Sequence, residues 1–150
     1  MDWKLELIVV PVADVDRAKA FYADRLGFKV EVDTTMGEDF RVVQLTPSGS
    51  RCSIALLHAP GSAGEVQGAP GSLKGLHLVV TDIEAAREQL VTAGVEVGEI
   101  FHMEGGQQAA GPDPQRGDYN SFLPFSDPDG NMWLVQERKK DPYADAAANA

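Results

Sequence analysis

The stretch Ile8-Val9-Val10-Pro11-Val12-Ala13-Asp14-Val15-Asp16 returns in pattern as Leu76-His77-Leu78-Val79-Val80-Thr81-Asp82-Ile83-Glu84. Each stretch is a short run of strand-forming residues that ends in a helix N-cap. Asp14 can accept a hydrogen bond from the first turn of the helix that follows. Thr81 and Glu84 have capping-box spacing, with Asp82 as a competing cap. The chain therefore predicts one strand-to-helix unit twice.

Both caps open an amphipathic helix with one apolar stripe. The stripes are Val15, Ala18, Tyr22 and Leu26 in the first helix and Ile83, Ala86, Leu90 and Ala93 in the second. Gly27 and Gly94 follow the last turns, where a left-handed conformation ends a helix at little cost. Extended runs are predicted next, over Phe28 to Asp33 and over Val95 to His102.

Each half then ends with a Pro/Gly turn between two strand-like runs. Pro47-Ser48-Gly49-Ser50 lies between Phe40–Thr46 and Arg51–His58, and Pro128-Asp129-Gly130-Asn131 lies between Tyr119–Ser126 and Met132–Arg138. The sequence therefore predicts an α+β fold of two tandem βαβββ modules, at about residues 4–58 and 73–138. Because one helix covers only one face of each sheet, we expect a curved mixed sheet around a shared cavity.

Three segments interrupt this pattern. Residues 59–72 are rich in Gly, Ala, Pro and Ser and are expected to form a flexible linker. Glu104 to Asp118 has a similar composition and breaks the second module. Residues 141–150 are expected to be a flexible tail, which leaves a single domain over residues 1–140.

Composition limits the partners. The 150 residues carry 13 Lys and Arg against 23 Asp and Glu, so the formal net charge is -10. Such a charge disfavours binding to nucleic acids and to anionic membranes. The N-terminus lacks a signal peptide, and the longest apolar run, Leu7 to Ala13, is too short to cross a bilayer, so a cytoplasmic location is expected. A single cysteine, Cys52, cannot form an internal disulfide.

Two motifs carry a resemblance to a known family. They are Val12-Ala13-Asp14-Val15-Asp16-Arg17-Ala18-Lys19-Ala20-Phe21-Tyr22 with Leu26-Gly27-Phe28, and Asp127-Pro128-Asp129-Gly130-Asn131. In combination they resemble the vicinal oxygen chelate superfamily, which includes glyoxalase I, bleomycin- and fosfomycin-resistance proteins and extradiol dioxygenases. The resemblance implies paired βαβββ modules around a ligand cavity, and a homodimer. It implies little about the reaction, because one fold hosts many chemistries.

The resemblance also implies where a metal ion would bind. Metal-dependent members place His, Glu or Gln on the first and third strands of each module. The first-strand positions here fall on Leu7 and Gly75, the third-strand position of the first module falls on Gln44, and the final ligand falls in the last strand on Leu134. Of these residues only Gln44 offers a ligand atom, and one neutral amide cannot hold a divalent ion. We therefore expect no metal ligands and no cofactor, with a displaced divalent metal site as the open alternative.

Alternation along the strands maps the residues that face the expected cavity. The ligand-binding candidates are Gln44, Ser53, His77, Phe125, Leu134 and Gln136. His77 is also the candidate catalytic residue, as a general base or hydrogen-bonding group, although a buried histidine paired with a neighbour is the alternative. His58 and His102 are interpreted as solvated ends of strands. Trp3 and Trp133 are interpreted as core residues.

Three hypotheses of function follow. The first is a bleomycin-resistance-like protein that binds a small organic ligand without metal, for which the acidic surface would favour a cationic compound. The second is an enzyme of the superfamily, a lyase, isomerase or dioxygenase, that uses a displaced metal or His77. A cluster of His77 with His102 or Glu137 belongs to this alternative. The third is a regulatory protein with a packed interior and no small ligand.

Overall fold

A computed structural model describes residues 1–59 and 68–144, which form two compact units. The first contains the described residues of 1–74 together with Asp127–Asn131, and the second those of 75–126 and 132–150. Most of the expected linker (60–67) and of the expected tail (145–150) lies outside the described residues.

The first unit is a βαβββ module. Its elements are β1 (Leu7–Val10), α1 (Val15–Ala20) continued by a π-helical turn (Phe21–Arg25), β2 (Lys29–Met36), β3 (Phe40–Thr46) and β4 (Ser53–His58). The strand order is β1-β4-β3-β2, with β1 parallel to β4 and the other pairs antiparallel. The predicted α+β module is therefore confirmed for this half.

The second unit repeats the module with one additional strand. Its elements are β5 (Leu76–Val80), α2 (Ile83–Thr92), β6 (Phe101–Glu104), β7 (Gln107–Ala110), β8 (Ser121–Ser126) and β9 (Met132–Glu137). The strand order is β5-β9-β8-β6-β7, and β5 is parallel to β9. β7 is the additional strand, and it lies at the edge of the sheet.

The segment between Glu104 and Asp118 corrects the sequence interpretation, which expected a flexible loop. A turn at Gly105 and Gly106, both with positive φ, lets β7 pair antiparallel with β6. Beyond β7, both carboxylate oxygens of Asp113 accept backbone N–H groups, from Gln115 and Gly117. The segment is therefore a hairpin followed by a hydrogen-bonded loop.

The helix ends follow the local signals, with one exception. The Asp14 carboxylate accepts from the Arg17 N–H at 3.1 Å, as predicted. In the second unit the cap is Asp82, which accepts from the Ala85 N–H at 3.0 Å, so the Thr81 capping box is wrong. Gly27 and Gly94 take positive φ values of 73° and 78°, as expected for residues that end helices.

Each helix packs on one face of the sheet of its own unit. α1 contacts β4 over a core that includes Val10, Val43, Leu45 and Leu56. α2 contacts β8 and β9 over Ile83, Leu123, Trp133 and Val135. Trp133 is a core residue as predicted, but Trp3 is 89% exposed, so its assignment to the core is wrong. It precedes β1 and has no sheet to pack on.

The Asp-Pro-Asp-Gly-Asn turn is built into the first unit. The Tyr22 hydroxyl donates to Asp127 Oδ2 at 2.7 Å, and Asn131 Nδ2 donates to the Pro11 carbonyl at 2.8 Å. Asp127 Oδ1 also accepts the backbone N–H groups of Asp129 and Asn131, each at 2.9 Å. The turn residues therefore hold their own backbone and the segments before and after α1, as structural turn residues do.

Candidate functional site

Within the described residues of the first unit, one face of the sheet has no helix packed on it. Val43, Leu45, Ile54 and Leu56 point into the core, so the alternate residues of β3 and β4 point to the other side. We call this side the first open face; it contains Leu7, Val9, Phe40, Val42, Gln44, Thr46, Ser53, Ala55 and Leu57. The polar atoms there are those of Gln44 and of a Thr46–Ser53 hydroxyl pair at 2.7 Å. Gln44 and Ser53 thus lie where the sequence placed them.

The second unit has a corresponding open face, opposite to the face that contacts α2. His77 is the register partner of Leu134, which also pairs with Pro124, and Gln136 pairs with Phe122. The Phe122 ring stacks on the Phe101 ring, with centroids 5.1 Å apart. The second open face therefore brings together three sequence candidates; its members are His77, Val79, Phe101, Phe122, Pro124, Leu134 and Gln136.

Phe125 is not on this face, which corrects the sequence interpretation. It is 3% exposed, pairs with Trp133 and stacks on the indole at 5.9 Å in the core. Aligning Pro47 with Pro128 makes Phe125 the partner of Gln136, but the actual partner is Phe122. Gln136 thus pairs with a residue three positions earlier in β8 than the alignment gives. Because side chains alternate between the two faces of a strand, a shift by an odd number places every β8 side chain on the face opposite to the one expected. Phe101, Phe122 and Pro124 lie on the second open face and were missed by the sequence reasoning.

His77 has a defined tautomer. Its Nδ1 lies 2.6 Å from the carbonyl oxygen of Gly75, and a carbonyl oxygen can only accept a hydrogen bond. In the neutral ring Nδ1 therefore carries the proton, and Nε2 is a hydrogen-bond acceptor. His77 is exposed, so the alternative of a buried histidine is wrong. The side chain is suited to accept an O–H or N–H group of a ligand.

The other two histidines do not join His77. His58 is exposed at the end of β4, as predicted. His102 is 5% exposed, which corrects its assignment as a solvated residue; its Nδ1 is 2.8 Å from the Gly111 carbonyl oxygen. Glu137 is buried too, and accepts hydrogen bonds from the Ile83 N–H and from Arg116. Because His102 and Glu137 lie on the core side of the second sheet, the His77 cluster does not form.

The positions at which the superfamily binds metal do not fit a metal ion here. Leu7 and Leu134 present hydrocarbon, Gly75 has no side chain, and Gln44 supplies one neutral amide. Across residues 1–59 and 68–144, no group of three or more His, Cys, Asp or Glu side chains could hold a metal ion. The same part of the chain contains no helix that is long and apolar enough to cross a membrane.

One cavity of the second unit lies beside the second open face. A cavity of about 420 Å³ adjoins the second open face at Phe101 and Pro124 and is also lined by Glu99, Ile100, Gln108, Ala109 and Ala110. A larger cleft, about 750 Å³, runs along the outer side of α2, past Ala85, Gln89 and Thr92. It contains neither His77 nor Gln136, so size alone does not identify the site.

Comparisons with known proteins agree with this architecture. The model of the Glyoxalase/Bleomycin resistance protein/Dioxygenase superfamily matches residues 4–135. TnmS3, an antibiotic binding protein from Streptomyces sp. CB03234, is 30% identical; the match covers 91% of this chain and 96% of TnmS3, with a TM-score of 0.68. A superfamily member from Sphaerobacter thermophilus DSM 20745 is 27% identical, over 91% of this chain and 98% of its own, with a TM-score of 0.70.

A curated relative is similar over most of its length. The uncharacterized protein YetH of Bacillus subtilis (strain 168) is 27% identical over 131 residues, which are 87% of this chain and 94% of YetH.

Proposed function

Because this chain belongs to the Glyoxalase/Bleomycin resistance protein/Dioxygenase superfamily, we propose that it binds a small organic molecule on the second open face without a metal ion. The observation that carries the proposal is the composition of that face. Stacked Phe101 and Phe122 rings lie beside Leu134, with two polar side chains, His77 and Gln136, among them. Ligand sites are typically apolar surfaces with a few polar groups that orient the ligand.

The expected affinity follows from the two kinds of contact. Removing about 200 Å² of apolar surface from water contributes about 5 kcal/mol, which association costs largely offset. Hydrogen bonds to His77 and Gln136 then select the ligand, since a mismatched partner leaves them unpaired. On the first open face, Gln44 offers polar atoms of the same kind, whereas Ser53 is buried and its hydroxyl is paired with that of Thr46.

Metal independence is part of this proposal. It rests on the side chains at the expected metal positions, because those of Leu7, Gly75 and Leu134 have no atom that can bind a metal ion. Since TnmS3 is named as an antibiotic binding protein, drug-like organic molecules are the first compounds to test. We also propose, from the family resemblance, a homodimer in the cytoplasm.

Two measurements test the proposal. Native mass spectrometry of freshly purified protein reports bound molecules, metal content and subunit number together. A panel of aromatic and antibiotic compounds is then titrated into EDTA-treated protein, followed by fluorescence or calorimetry. We expect saturable binding that His77→Ala and Gln136→Ala each weaken, while His58→Ala, which changes an exposed histidine elsewhere, has no effect. Absence of saturable binding across the panel would overturn the proposal, as would binding that requires added metal.

A further inference from the structure

The end of the second open face carries a cation. Arg138 follows β9 directly, and its N–H donates to the Val80 carbonyl at 2.9 Å, so the pairing with β5 continues one step beyond the strand. Alternation then places residue 138 on the side of Leu134 and Gln136. The strand positions of this face within the described residues are otherwise uncharged.

Tyr119 positions that cation. The Cζ atom of Arg138 lies 5.9 Å from the centroid of the Tyr119 ring, within the range of a cation–π interaction. Tyr119 has a positive φ of 64°, a conformation that costs free energy for a residue with a side chain. Its N–H donates to the Glu137 carbonyl at 2.8 Å, and the neighbouring Asp118 accepts from the Lys139 N–H at 2.9 Å. Residues 118 and 119 therefore hold the backbone on both sides of Arg138 by hydrogen bonds to residues 137 and 139.

The polar groups of the face have a fixed spacing. His77 is level with Leu134, and Arg138 lies four residues beyond Leu134, one residue past the end of β9. At about 3.3 Å per residue, about 13 Å separate the two levels. The His77 Nε2 accepts a hydrogen bond, whereas the guanidinium donates and is positive. Val79, Gln136 and Phe122 lie in the interval.

We infer that the ligand of the second open face has a flat apolar body with a carboxylate at one end, bound by Arg138, and a hydroxyl or N–H group at the other, bound by His77. This inference rests on the proposed function. The guanidinium matches a planar carboxylate with two parallel hydrogen bonds, and Tyr119 acts as its positioning residue. Asp118 and Lys139, the charged residues next to this position, have opposite signs, and charges further away are screened beyond about 8–10 Å, so the Arg138 guanidinium decides the preference.

The test uses two fluorescent probes of equal shape, 6-hydroxy-2-naphthoate and 6-hydroxy-2-naphthamide. Both are titrated into EDTA-treated protein at low and high salt. We expect the naphthoate to bind about tenfold more tightly, with an advantage that shrinks at high salt. Arg138→Gln should lower naphthoate affinity to that of the naphthamide and leave the naphthamide unchanged. Tyr119→Ala should remove part of the preference, and Tyr119→Phe, which keeps the ring, should retain it.

Lys139→Gln is the matched control, because it removes the same charge from the next, exposed residue. An unchanged probe ratio in Arg138→Gln, or an equal loss in Lys139→Gln, would overturn the inference. Equal binding of both probes to the unmodified protein would overturn the inference alone. Failure of both probes, together with the whole compound panel, would overturn the proposed function as well.

Discussion

At the scale of single residues, His77 shows how a backbone contact decides the chemistry of a side chain. Because Nδ1 donates a hydrogen bond to the Gly75 carbonyl, Nε2 is the ring nitrogen that can accept a hydrogen bond from a ligand. We predict that His77→Ala weakens binding of 6-hydroxy-2-naphthamide about 2- to 10-fold, the range of one neutral hydrogen bond, and leaves 2-naphthamide unaffected. Calorimetry on both probes measures the difference, with His58→Ala as control. An equal loss for both probes would mean that His77 contributes only contact area.

A second residue, Tyr22, holds the Asp-Pro-Asp-Gly-Asn turn. Its buried hydroxyl donates to Asp127 Oδ2. Tyr22→Phe removes that donor and should lower the free energy of unfolding by about 1–3 kcal/mol. Urea unfolding followed by circular dichroism measures the change. Tyr119→Phe, at a partly exposed ring, should leave the urea midpoint in place; a Tyr22→Phe midpoint that also stays in place would contradict this role.

At the scale of elements, charged side chains tie α1 to the edge of the first sheet. Arg41 on β3 binds Asp33 on β2 and Asp16 on α1, and Lys19 binds Asp33 from the helix. These contacts, Arg41 first and then Lys19, lower the pKa of Asp33 from 3.8 to about 2. The carboxylate therefore stabilises the fold above pH 4, and this contribution is lost as the pH falls from about 4 towards 2.

The corresponding prediction concerns stability against pH. Because Asp33 is partly exposed, solvent screening reduces its contribution to about 1 kcal/mol. The free energy of unfolding of the unmodified protein should fall between pH 4 and pH 2 by about that much more than that of Asp33→Asn. Urea titrations at a series of pH values measure both proteins. Parallel curves would show that the network contributes nothing to folding.

The elements also show what the sequence could predict. Helix ends depend on local contacts, so Asp14, Gly27 and Gly94 were identified correctly. β7 was missed because Gln107-Gln108-Ala109-Ala110 has neither alternation nor branched residues. It forms because Gly105 and Gly106 reverse the chain beside β6, and that Gly-Gly pair was the available signal. The side of the sheet on which Phe125 lies depends on the pairing register of the β8–β9 hairpin, and tertiary contacts decide that register.

At the scale of the whole molecule, two copies of one module share the same architecture, and Leu7, Gly75 and Leu134 stand where the resemblance implies metal ligands. The repeat predicted the modules because cap, glycine and turn occur at matched positions in both. Strand alternation placed Gln44, Ser53, His77, Leu134 and Gln136 on the open faces, where they lie, and their role in binding stays a prediction. Tyr119 and Arg138 were not assigned, because their contact joins a loop to a strand end that sequence spacing does not relate.

The proposed metal independence leads to a prediction for the folded protein as a whole. An ion that binds only the native state at 100 times its Kd adds about 2.7 kcal/mol of stability, which raises the Tm of a 150-residue protein by roughly 5–10 °C. With hydrocarbon at Leu7 and Leu134 and no side chain at Gly75, no such ion should bind. We therefore expect the Tm of EDTA-treated protein to stay within about 1 °C on addition of Mn²⁺, Ni²⁺ or Zn²⁺. A metal-dependent member of the superfamily, treated identically, should show the full increase. Stoichiometric metal retained after dialysis, or a comparable increase in Tm, would instead require a metal site elsewhere in the chain.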